Sequence, residues 1–161
     1  MRLREDASHS VVEVGQMVWI RQVVLIGLML RGSAASATPA GFTGNWSTGD
    51  GSVVKVAPCG GDVCLTLVKV TPTAPVTTDA QNPDAHLRSR PLCGLRIGFG
   101  FKSEGENAAS GGHLYDPKSG RTYNGKLELK GDRLHLRGYV GVALFGRSEV
   151  WTRAGEVGAC R

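Results

Sequence analysis

The sequence predicts an all-β chain closed into an eight-stranded up-and-down antiparallel barrel. Three observations lead there. Apolar residues almost never recur at the three-to-four spacing of a helix; they fall instead in short alternating runs. Eight such runs can be counted, separated by Gly, Asp and Pro. Glycines are dense at 94, 98, 100, 111, 112, 138, 141 and 146, as expected where the strands of a small barrel must bend. Closure removes the unpaired edges that an open meander would expose. An open sandwich is the competing architecture.

The runs span 44–48, 52–57, 63–70, 94–102, 111–116, 121–130, 133–140 and 145–153. Gly44-Asn45-Trp46 opens the first. The second and third flank Gly60-Gly61-Asp62-Val63, a tight turn between two apolar stretches. Phe99 and Phe101 alternate with Gly98 and Gly100 in the fourth, and their face is left open. Asp116-Pro117-Lys118-Ser119-Gly120 turns the chain between the fifth and sixth. The sixth and seventh form the clearest hairpin. Leu127, Leu129, Leu134 and Leu136 share its inner face, charged residues share the outer one, and Gly131-Asp132 makes the turn. Trp151-Thr152-Arg153 ends the last run. An even strand count brings that end, with Arg153, beside Gly44-Asn45-Trp46 and leaves Arg147 at the opposite end. The segment from Thr71 to Pro91 is too long, polar and proline-rich for a tight turn, and long loops in compact domains are usually functional or disordered. The strand count places it at the opposite end, the mouth. There Asn82-Pro83-Asp84 is expected to start a short helix carrying Leu87 inward. Arg88 and Arg90 either meet a ligand first or tie the loop to carbonyls, Asp79 or Asp84.

Residues 17–37 read as a signal peptide: Arg21, the apolar run Val23 to Leu30, then Ala35-Ser36-Ala37. That run is well short of the ~18 apolar residues of a membrane span. Residues 1–16 are polar and read as an early-assigned start or a long n-region. Residues 38–161 form one domain of 124 residues with net charge +4, expected in the periplasm or secreted. All four cysteines fall in it, and an oxidising compartment favours disulfides. Cys59 and Cys64 flank a Gly-Gly turn and are the preferred pair; pairing of Cys93 with Cys160 stays open. Cys59-x₄-Cys64 lacks a second metal-type pair and His86, His113 and His135 are scattered, so no metal is expected. The basic stripe Lys126, Lys130, Arg133 and Arg137 has no interleaved aromatics, which argues against nucleic acid and leaves a weak pull to anionic membrane surfaces.

These features, with the stretch Asn82 to Gly94, resemble in order the bacterial exported family known as domain of unknown function 2147, over roughly Gly41 to Arg153. The resemblance implies a lipocalin- or calycin-like barrel. In lipocalins an arginine from the C-terminal part covers the tryptophan of a Gly-x-Trp motif at the floor, and the mouth carries a lid; the resemblance therefore implies Arg153 as the cation over Trp46, with stacking on Trp151 as its rival.

The leading expectation is therefore a non-enzymatic envelope protein that binds a small apolar or amphipathic ligand. Its walls would be Val54, Val56, Leu127, Leu129, Leu134, Leu136 and Val140, with Leu87, Arg88 and Arg90 at the lid. The alternative is a structural or protein-interaction module with a packed barrel and loop 71–91 as contact surface. No nucleophile elbow, H-E-x-x-H or P-loop occurs, so neither catalysis nor a cofactor is expected.

Overall fold

The computed structural model describes residues 41–158 and Cys160; the expectations for 1–16 and 17–37 lie outside the described residues. Eight strands follow one another around a closed barrel: β1 Gly44–Ser47, β2 Val53–Cys59, β3 Asp62–Lys69, β4 Arg96–Ser103, β5 Ala108–Asp116, β6 Arg121–Lys130, β7 Arg133–Tyr139 and β8 Arg147–Arg153. Every neighbouring pair is antiparallel, and β8 closes on β1 through Trp46 opposite Arg153. The sheet therefore has no free edge.

The hairpin of β6 and β7 shows how the alternation acts. Leu127 faces Leu136 and Leu129 faces Leu134 across the ladder, while Lys126 lies opposite Arg137. One parity of residue goes to the core and the other to solvent, which fixes the register. Gly131 takes a left-handed φ of 60° at the turn. Elsewhere the alternation is interrupted. In β4, Gly100 has φ 73°, so Phe99 points out to stack against His113 while Phe101 is fully buried. Two phenylalanines of the same parity thus occupy opposite faces, because the bulge resets the pleat between them. In β5 the register shifts between Ala109 and Gly112, so the strand begins at Ala108, earlier than expected.

Up-and-down order sorts the connections into two ends. The turns at 60–61, 104–107 and 131–132 lie at the floor. The segments at 48–52, 70–95, 117–120 and 140–146 lie at the mouth. Disulfides join Cys59 to Cys64 and Cys93 to Cys160. The second ties the C-terminal tail to the mouth segment just before β4.

Candidate functional site

The floor is sealed by an aromatic and a basic side chain, Trp46 and Arg153. Trp46 is completely buried, and its indole N–H donates to the Phe42 carbonyl at 2.8 Å. The Arg153 guanidinium stacks over the Trp46 ring, 4.1 Å from its centroid. It also donates to the Thr43 carbonyl at 2.6 Å and to the Gly41 carbonyl. Gly44 is required beside it: φ is 123°, and a Cβ there would come within 2.8 Å of the guanidinium. Trp151, the rival partner, instead donates its indole N–H to Glu149 at 2.9 Å.

The interior glycines do not open a chamber. A Cβ on Gly98 would fall 2.7 Å from the Leu65 side chain, and one on Gly125 would fall 2.7 Å from the Phe101 ring and 2.8 Å from Leu114. A Cβ on Gly112 would collide with the same phenyl ring. The space these residues give up is already filled by Phe101, Leu65 and Leu114. Of the expected ligand walls, Val54, Val56, Leu127, Leu134 and Leu136 are buried and packed into one core with them, and Leu129 is partly buried against it. Two concavities lie on the outer face of the sheet. One, of about 410 Å³, runs between Val68–Val70 and the tail; the other, of about 170 Å³, lies among Lys126, Glu128, His135 and Arg137.

The mouth is closed by the long loop, which zips onto itself before docking. Leu92 N–H donates to the Thr77 carbonyl and Asp79 N–H to the Arg90 carbonyl, with Thr78 bridged to Pro91. Asp79 is fully buried. Its carboxylate accepts from the Tyr115 hydroxyl at 2.6 Å, from the Asn82 amide at 2.7 Å and from Arg90 at 2.7 and 2.8 Å. Burial pushes this carboxyl up, but Tyr115, Asn82 and Arg90 outweigh it and hold it below the usual range. Burial and the neighbouring Asp79 charge push the Tyr115 phenol upward. Tyr115 belongs to β5, so this cluster bolts the loop to the barrel wall. A second tie crosses the rim, where Lys118 meets Asp50 at 3.1 Å. Burial pushes Asp50 up, yet Thr48, the Ser52 N–H and Lys118 hold its carboxyl well below the carboxylate range.

Two expected lining residues are corrected here. A 3₁₀ turn does form at Ala85–Leu87, capped by Asp84 accepting from His86 N–H, but Leu87 faces outward at 38% exposure. Leu92 and Leu95, both buried, take the inward place, because the loop's self-pairing aims its second half at the core. Val140 is 73% exposed: β7 stops at Tyr139 and the chain turns out of the sheet before it. Arg90 is bonded to Asp79, and Arg88 donates to the Asn82 carbonyl at 2.8 Å. Both arginines hold the loop's shape.

A feature the sequence reading passed over is the connection from β7 to β8. Val140, Val142, Leu144 and Phe145 are 73%, 60%, 79% and 81% exposed, forming an uncovered apolar tip. The signal was present as a turn region composed of apolar residues where Asn, Asp or Ser would be usual.

A closed eight-stranded barrel with a Gly-x-Trp floor under an arginine defines the lipocalin-like class. The chain matches, over residues 44–153, the family described as an uncharacterized protein conserved in bacteria, DUF2147, and belongs to it. It is similar in structure to HP1028 from the human pathogen Helicobacter pylori, described as belonging to the lipocalin family. The TM-score is 0.66 at 19% identity, covering 73% of this chain and 85% of that one. No curated protein matches the chain.

Proposed function

We propose that this protein is a non-enzymatic, exported module of the bacterial envelope, in which the barrel is a solid scaffold and the mouth-end loops do the recognition. The observation that carries this reading is the filling of the interior by Phe101, Leu65 and Leu114 over Gly98, Gly112 and Gly125. A small eight-stranded barrel holds either side chains or one small ligand, and these residues take that space. The buried Asp79 cluster adds a lid tied to the wall, since opening it would break the hydrogen bonds that join Tyr115 of β5 to Asp79 and Asn82. The two disulfides suit an oxidising compartment. The signal-peptide pattern at 17–37 supports export to the periplasm or beyond.

A second reading keeps a small apolar or amphipathic ligand inside the barrel. The fold of the lipocalin-family protein and the aliphatic inner positions favour it. It requires the Phe101 ring and the lid to move aside. Native mass spectrometry with lipid extraction, plus a fluorescent fatty-acid probe, separates the two. The packed reading expects ligand-free protein and no probe uptake. One tightly held apolar molecule per chain would reinstate the ligand reading.

A further inference from the structure

We propose that the apolar tip at 140–146 is a membrane-contact element that seats the mouth end of the barrel on a bilayer rich in anionic headgroups. This deepens the packed-scaffold reading and rests on it. The tip carries four large apolar side chains with most of their surface in water, on a loop of a few residues. Side chains this exposed project beyond their neighbours, so the tip is convex. It has the shape of an anchor that enters a soft acyl boundary.

The backbone is prepared for such a place. Carbonyl groups carried into an apolar layer must already have donors. The Arg137 guanidinium supplies them: Nε donates to the Ala143 carbonyl at 2.6 Å and Nη2 to the Leu144 carbonyl at 2.9 Å. Within the tip, Phe145 N–H donates to the Val142 carbonyl and Gly146 N–H to the Ala143 carbonyl, closing a 3₁₀ turn at Ala143–Phe145. The remaining Arg137 nitrogen holds Ser148 at 2.8 Å, fixing the turn to β8. Gly146 is compelled by this packing, because a Cβ would press on the Tyr139 side chain at 2.8 Å.

Charge selects the partner. From Leu134 to Ser148, the mouth-ward run of β7 and the tip, the chain has no acidic residue and two arginines, at 137 and 147. Lys126 lies opposite Arg137, and Arg147 opposite Gly138, at the root of the tip. On the flanking strands Glu128 pairs with Lys130, while Glu149 keeps its charge and accepts from the Trp151 indole. An apolar point with Lys126, Arg137 and Arg147 at its root matches an anionic lipid surface, where aliphatic stems stay with the acyl chains and charged heads meet phosphate.

Vesicle flotation tests this with the full chain and liposomes of phosphatidylcholine alone or with phosphatidylglycerol. A Leu144→Asp/Phe145→Asp double variant and Arg147→Glu are compared with the native chain. All three carry the same residues 1–40, so any contribution from the apolar run Val23 to Leu30 cancels. Circular dichroism confirms folding, and Arg147→Glu leaves the tip itself unaltered. The native chain is expected to float with anionic vesicles and much less with neutral ones. The double variant is expected to lose roughly tenfold or more of that binding, and Arg147→Glu several-fold. Equal flotation on neutral vesicles, or full retention by both variants, overturns the proposal. So does a dimer in sedimentation that the double variant abolishes, which would assign the tip to self-association. Failure to bind vesicles by a ligand-free barrel sinks this inference alone; a lipid held one per chain, and kept by the double variant, sinks the packed-scaffold reading instead.

Discussion

Asp79 is the residue on which closure of the mouth turns. A fully buried carboxylate without its partners would be costly, and here Tyr115, Asn82 and Arg90 each donate to it. Asp79→Asn keeps the shape and removes the charge. It is expected to cost about 2–4 kcal/mol at neutral pH in denaturant unfolding. The folded carboxyl is held below its ordinary value, so its stabilisation is present above about pH 4 and lost as pH falls through the lower folded value. The gap between variant and native chain should therefore narrow below about pH 4; a constant gap would contradict the role. At the floor, Arg153→Ala should cost about 1–3 kcal/mol and Arg147→Ala under about 0.5 kcal/mol. Only Arg153 covers Trp46 and ties down two carbonyls. Equal midpoints for the two variants would remove the floor argument. The Trp46–Arg153 pair was legible in the sequence because strand parity brings the two ends together and the resemblance to lipocalins puts an arginine over the Gly-x-Trp tryptophan. Asp79 was visible only as one possible tether for the arginines. Its partner Tyr115 lies 36 residues away, and no local pattern links them.

At the scale of elements, the alternating strands could be read because a half-buried strand repeats every two residues. The bulges could not. Gly100 and the shift between Ala109 and Gly112 reset parity through backbone conformation, which composition does not report. That is why Phe99 and Phe101 part company, and why β5 starts earlier than its apolar run. In the long loop, the proline-led turn was legible but its facing was not. Self-pairing of Thr77–Asp79 with Arg90–Leu92 rotates Leu87 out and Leu92 in. The two disulfides stabilise different things. Cys59–Cys64 spans 5 residues and Cys93–Cys160 spans 67. In the chain-entropy account the corresponding effects are about 2 and about 4 kcal/mol. Replacing Cys93 and Cys160 by Ser should lower the denaturant midpoint more than replacing Cys59 and Cys64. The reverse order would show that the tail adds little to the folded barrel.

For the whole molecule, a barrel fold by itself does not say whether its inside is empty. Three of the strand glycines have a use beyond bending: Gly98 admits the Leu65 side chain from the neighbouring strand, and Gly112 and Gly125 admit the Phe101 ring. This could not be read from one dimension: a glycine beside a cavity and a glycine under a phenyl ring look alike in a string of letters. The central claim is that the core is full, and a double-mutant cycle between Gly112 and Phe101 tests it most directly. The Cβ added by Gly112→Ala meets the Phe101 ring, and Gly112 itself does not take a left-handed φ. Gly112→Ala alone is expected to destabilise by about 1–3 kcal/mol. In a Phe101→Leu background the same methyl should cost at least about 1 kcal/mol less, because the ring it strikes is gone. A Gly112→Ala variant as stable as the native chain, with no coupling to Phe101, would mean that the methyl enters empty space and would contradict a packed barrel.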